Sequence, residues 1–423
     1  MYTRLILASI LVFILLVTGG CTANPPKYSS SFDDNLKTIV QPYSFDFARW
    51  ELNTLYNQLK HRITGSPEEE VYTSQSVVRY FSYMVQMNSL KSSMQMLQAG
   101  KIQGDIALYE ANLKEVEAQI TALKPITERT IARQIGQILN EQGIYHPFGD
   151  NWFKYIFPPV YFKLEDPLYI LVISPRDKIE RVRDITIKQD IVTADMEQME
   201  SALEKLDMSA LVVQIGGLGA TYPSFVVNNA DLRFTIDVAV EEWLHQYLSF
   251  KPLGFRYVLN LLGISHDPAI PTINETVAGI ASQELGAMIY DRFYSQYKTE
   301  NDKKESLPVG SQFDFNAAMR ETRQTVDHYL ASGQIEEAEK YMQNRRQFLA
   351  SNGYYIRKLN QAYFAFYGSY AHSASSVDPV GGQIKLLKEH SLNVKDFLDT
   401  TSRIKNQDDL NALINYIEKQ AQN

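Results

Sequence analysis

Apolar residues recur at helical spacing through the first third of the chain. Phe45 to Ile63, Glu69 to Leu97 and Ile106 to Leu139 each set them on one face, with few glycines and with charges opposite. That pattern predicts amphipathic helices over residues 33–145. The break at Gly100-Lys101-Ile102-Gln103-Gly104 predicts a turn between antiparallel helices, hence a hairpin. Gly143 to Pro159 mixes proline, glycine and aromatics and reads as a junction. Beyond it the pattern shortens. Leu168 to Ile173 is an apolar run stopped by Ser174-Pro175, and Asp184 to Val192 alternates. Leu211 to Ile215 is apolar again and runs into the glycine-rich Gly216 to Ser224. These three predict strands, with an amphipathic helix over Met196 to Leu206. The remainder reads as helix: Thr235 to Phe250, Asn274 to Tyr297, a pair over Phe313 to Ser332 and Ile335 to Ser351 joined at Gly333, Asn360 to Tyr370, and two shorter closing helices. The expectation is an α+β fold, mainly helical. An N-terminal helical hairpin (33–145) precedes a second domain (146–423) with a small sheet.

The first twenty residues call for a different explanation. Arg4 precedes the apolar run Leu5 to Val17, which is short for a membrane span and ends in Thr18-Gly19-Gly20-Cys21. This resembles a bacterial lipobox, which makes residues 1–20 a signal peptide, Cys21 the lipidated first residue and 21–32, with Pro25-Pro26, a tether. An uncleaved membrane anchor and a small core cysteine are the alternatives. Cys21 is the only cysteine, so the chain forms no internal disulfide. The expected location is the extracytoplasmic face of a bacterial cell membrane, held by lipid. A hydrophobic fraction of 45% with 20 Phe and 26 Tyr predicts a packed body, and a net charge of −8 argues against nucleic acid as a partner.

Two helical segments carry the chemistry. Glu241 and His245 are four apart and share a helix face, Glu242 sits beside them, and Glu275 on the later helix completes a cluster. Two carboxylates and an imidazole with a third carboxylate alongside suit a zinc ion and a base for its water. Glu-Glu-x-x-His by itself is also what a partly exposed helix face looks like, and Asn274-Glu275 by itself is also a helix cap with an acidic first turn. Val238, Val240, Leu244 and Leu248 make the first helix largely apolar, however, so burying its ionisable groups demands a metal or a tight hydrogen-bond network.

The pair of segments is similar to the thermolysin-like zinc peptidases, the gluzincins, whose His-Glu-x-x-His helix precedes a glutamate ligand often found in an Asn-Glu pair. Here Glu241 stands where the first histidine would be. The resemblance implies Glu241, His245 and Glu275 as metal ligands and Glu242 as general base. Gln246 and Ala278 resemble the aminopeptidase branch. Lys358 to Tyr363, Tyr367 to Tyr370 and Val394 to Phe397 are similar to a group of bacterial lipoproteins described as predicted aminopeptidases, so the likeness covers roughly Leu211 to Leu398. It implies further that Gly217, Gly219 and Ala220 lie on a strand that pairs with substrate backbone, and that a tyrosine or histidine steadies the oxyanion. Tyr367, Tyr370 and His372 are candidates by their place in an aromatic segment. The implied activity is hydrolysis of a peptide or protein substrate by metal-bound water. The implied cofactor is Zn2+, with Mn2+ or another harder ion favoured by the extra carboxylate. The rival expectation is a pseudo-peptidase that has lost the metal and serves as a surface scaffold or peptide-binding lipoprotein. His266 is expected in a loop, and Gly216 to Gly219 is no phosphate loop, because no Gly-Lys-Ser/Thr follows.

Overall fold

The computed structural model describes residues 30–46, 50, 73–148, 154–219, 221–261, 264–265, 267–297, 313–368 and 379–421. The signal peptide, Cys21, most of the tether, most of the helix expected over Phe45 to Ile63, and Ala220, His266, Tyr370 and His372 lie outside the described residues.

Helix α1 (Ser30–Val40) begins inside the segment expected to be tether. Phe32, Leu36 and Val40 form a stripe at four-residue spacing, and it is buried against Leu171, Ile173 and Ile187. The hairpin follows as α2 (Ser74–Gln98) and α3 (Ile106–Glu141). The side chains of Thr73 and Asp105 cap the two helices, accepting the amide hydrogens of Ser76 and Ala107. Gly100 ends the first with φ +70°, a conformation glycine adopts without steric cost.

Among the described residues, two three-stranded sheets stand where one small sheet was expected. In the first, β2 (Tyr169–Pro175) lies between β3 (Arg183–Ile187) and β4 (Met208–Gln214), all antiparallel, with α4 (Thr193–Glu204) bridging β3 and β4. In the second, β6 (Ser224–Val227) pairs in parallel with β1 (Phe162–Glu165) and antiparallel with the two-residue β5 (Gly217–Leu218). The chain passes from β4 into β5 through Ile215 and Gly216.

The rest is helical: α5 (Leu232–Leu248), α6 (Pro252–Leu261), α7 (Ala269–Tyr294), α8 (Phe315–Ala331), α9 (Ile335–Ser351), α10 (Gln361–Tyr367), α11 (Val380–Glu389), α12 (Val394–Thr401) and α13 (Gln407–Ala421). Helix α6 has no counterpart among the sequence expectations, and three helices close the chain where two were expected. With 65% helix and 9% strand, the fold is α+β and mainly helical.

One hydrophobic cluster runs from Val77 and Tyr80 on α2 through Ile131 and Ile135 on α3, Ile236 and Trp243 on α5, and Ile273 and Ile289 on α7 to Ile414 on α13. The hairpin therefore shares its core with the helices that carry the acidic motif. Three polar links reinforce the junction. The Tyr80 hydroxyl donates to Asn228 at 2.7 Å, and the Tyr294 hydroxyl donates to Gln134 at 2.6 Å. Buried Glu128 accepts from Lys163 at 2.6 Å and from the Leu164 amide at 3.0 Å. A cut through such links would leave buried polar groups without partners, at about 1–3 kcal/mol each. Among the described residues, no helix is long and apolar enough to cross a membrane.

Candidate metal centre

Helix α5 starts where the Asp231 carboxylate accepts the Phe234 amide hydrogen, and it buries most of its length. Its C-terminal half is pinned to the second sheet. The Gln246 side-chain amide donates to the Thr221 carbonyl at 2.7 Å and to the Ser224 hydroxyl at 3.0 Å, and the Trp243 indole donates to the Pro158 carbonyl at 2.8 Å. Gln246, which the resemblance counts as a family feature, thus anchors the helix. Helix α7 lies against α5 with Gly286 facing Asp237. A Cβ at Gly286 would stand 1.8 Å from Asp237 Oδ1.

The start of α7 corrects one sequence reading. With Asn274 at its first turn, the Asn-Glu pair would be a cap. The helix instead begins five residues earlier, at Ala269, whose amide donates to Asp267 Oδ1. Pro271 falls in the first turn, where a missing N–H forfeits no intrahelical bond. Asn274 and Glu275 accordingly sit in the second turn with their side chains free to face α5.

There the three expected ligands meet. One donor atom from each of Glu241, His245 and Glu275 lies within 4.8 Å of the others. His245 Nε2 is 3.6 Å from Glu275 Oε2, and His245 Nδ1 is 2.8 Å from Asn274 Oδ1. An amide oxygen only accepts, so Nδ1 carries hydrogen and Nε2 is the nitrogen presented to Glu275. This is the arrangement in which a ligating imidazole is held by a second partner. Two ligands of one tetrahedral zinc sit roughly 3.4 Å apart at bonds of ~2.0–2.2 Å, so the His245–Glu275 spacing needs almost no adjustment.

Glu242 points to the other neighbour, β5. Its carboxylate accepts the Gly219 amide hydrogen, and only 8% of the residue is exposed. A Cβ at Gly217 would lie 2.3 Å from Glu242 Oε1, and one at Gly219 would lie 2.9 Å from Oε2. The two glycines are therefore the condition for the glutamate's position, and β5 lies directly beside it. Among the described residues β5 pairs only with β6. Tyr367 lies on α10, with ring contacts to Tyr363 and Phe366, in the apolar cluster that also takes in Phe225 and Leu218. Burial raises its hydroxyl pKa.

Two residues of the site were not expected. Tyr257 on α6 donates its hydroxyl to Glu275 Oε1 at 2.6 Å and stacks on the His245 ring, with centroids 5.9 Å apart and planes at 27°. Asn274, known beforehand only as half of an Asn-Glu pair, is the His245 partner. The sequence holds a signal for Asn274, its adjacency to Glu275. It holds none for Tyr257, one tyrosine of 26.

The electrostatics fit a cation. Three carboxylates face one imidazole. Burial pushes Glu241 up to about 7 and Glu242 up to about 8, with His245 opposing and the neighbouring carboxylates adding to both shifts. Burial works against a charged His245, but Glu275, Glu242 and Glu241 together raise it to about 10. Burial also works against an ionised Glu275, yet His245 and the Tyr257 hydrogen bond outweigh it and hold that carboxyl below its usual range. The cluster thus takes up protons to balance its own negative charge. A divalent ion would supply the same balance, and the donor set of one imidazole and two carboxylates suits zinc or a harder ion.

No protein-family model, no curated protein and no solved structure matches the chain.

Proposed function

We propose that the protein is a metal-dependent peptidase of gluzincin type, anchored at the outer face of a bacterial cell membrane through Cys21. The observation that carries the reading is the convergence of Glu241, His245 and Glu275 with Glu242 held between that cluster and the β5 strand. Bound there, a divalent ion would polarise a scissile carbonyl and lower the pKa of an attacking water. Glu242 takes the proton of that water and delivers it to the leaving amine. Its placement on the helix that carries Glu241 and His245, with its carboxylate against Gly217 and Gly219, supports both transfers. The β5 backbone at Gly217, with Gly219 just after it, supports a role in aligning an extended substrate segment past Glu242. The resemblance supplies the reaction class, and the aminopeptidase likeness makes free N-termini the first substrates to test.

Metal analysis of the purified full chain, paired with a peptide-cleavage assay, tests this. One equivalent of zinc or manganese is expected, with cleavage that Glu242→Gln lowers by about 10²–10⁴-fold while the metal stays bound. A protein that binds no divalent ion and cleaves nothing under varied metals is instead the scaffold or peptide-binding lipoprotein. For location, Cys21→Ser is expected to move the protein from the membrane fraction to the soluble one.

A further inference from the structure

We infer that Tyr257 is a positioning residue: it occupies one oxygen of Glu275, so that this carboxylate offers a single oxygen to the metal. The inference rests on the metal reading of the site. The two oxygens of Glu275 have different neighbours. Oε1 takes the Tyr257 hydroxyl at 2.6 Å, and Oε2 faces His245 Nε2 at 3.6 Å. A short hydrogen bond to a carboxylate is among the stronger kinds and sets orientation as well as energy. It also draws negative charge from the ligand. That matters in a cluster with three carboxylates, because each added negative charge makes a bound metal a weaker Lewis acid.

The tyrosine is held rigidly enough to do this. Its ring rests on the imidazole, so hydroxyl and ring are both fixed to metal ligands. Helix α6 is fastened at each end. Leu253 donates its amide to the Ser402 carbonyl at 3.0 Å, and the Asn260 side chain donates to the Asp267 carbonyl at 2.6 Å. Gly254 packs so closely that a Cβ there would stand 2.2 Å from the Leu248 carbonyl carbon. Partners of this kind commonly account for 10–100-fold in metal affinity.

Cobalt(II) titration of the full chain in detergent reads the coordination directly, since four-coordinate cobalt absorbs strongly in the visible and higher coordination absorbs weakly. Tyr257→Phe keeps the ring and removes the hydroxyl. It is expected to bind cobalt about 10-fold or more weakly and to lose visible intensity as Oε1 becomes available to the ion. Tyr257→Leu is expected to show the same loss of intensity. Melting curves establish that both variants fold. Wild-type affinity and intensity in Tyr257→Phe would overturn the inference while leaving the metal site standing. An effect confined to Tyr257→Leu would overturn it too, by assigning the role to the ring. Failure of the wild-type protein to bind cobalt, zinc or manganese would remove the metal reading itself, and this inference with it.

Discussion

The crowding around Glu242 sets a limit on its neighbours. Gly217 and Gly219 sit where any side chain would meet its carboxylate. On the proposed function, Gly217→Ala is therefore expected to displace the Glu242 carboxylate by about an ångström and to lower kcat/KM by roughly 100-fold. Metal content should be unchanged, because the nearest atoms to that position all belong to Glu242; steady-state kinetics alongside metal analysis separates the two effects. This is also the scale at which the sequence was most informative. The four-residue spacing of Glu241 and His245 placed both on one helix face, and the apolar residues around them implied that something must offset their burial. The Asn274–His245 contact was hidden, because it depends on where α7 begins. The helix expected from Asn274 begins at Ala269, which puts Asn274 in the second turn. Tyr257 was hidden for a different reason: its role follows from α6 crossing the site, and a lone tyrosine has no spacing to betray it.

At the scale of elements, α6 decides how the site is closed, and Gly254 decides where α6 lies. Because the atoms nearest a Cβ at Gly254 belong to the Leu248 and Ser249 backbone, Gly254→Ala cannot be absorbed by a rotamer change. A stability loss of about 1–3 kcal/mol is expected by chemical denaturation. A parallel drop in metal affinity is expected as Tyr257 moves away from Glu275. Gly286→Ala provides the comparison. Its nearest neighbour is the side chain of Asp237, which is paired with Arg233, so it should cost stability while shifting metal affinity less. The long helices and the strands β2 and β4 were legible because their apolar periods persist over many residues. Strand β6 is buried at all four positions, and β1 is equally short, so neither shows an alternation long enough to read. Helix α6 escaped notice because it is only ten residues long and opens with Pro252 and Gly254, which read as loop.

At the scale of the whole molecule, the protonation of the acidic cluster couples folding to pH. Glu241 and Glu242 have folded pKa values of about 7 and 8 against an ordinary 4.5, and His245 about 10 against 6.5. Each binds its proton more tightly when folded. The stability each contributes is complete below the ordinary value and is lost as pH rises through the folded one. Glu275 shifts the other way and loses its contribution only below about its ordinary 4.5. Metal-free protein is thus expected to melt at progressively lower temperature from pH 5 to pH 9. A divalent ion replaces those protons, so saturating zinc or manganese should flatten the profile and raise the melting temperature most at the alkaline end. Melting curves with chelator and with metal across that range check both statements. An unchanged slope on adding metal would count against the site.

The apolar cluster running from α2 to α13 bears on any attempt to trim the chain. A fragment starting at the glycine-rich junction near residue 143 would retain every group of the candidate centre. It would also open the shared apolar cluster to solvent and strip Asn228, Lys163 and Tyr294 of their hydrogen-bonding counterparts. Such a piece is expected to aggregate, because the amino-terminal helices and the helices of the candidate centre share one core and its polar links.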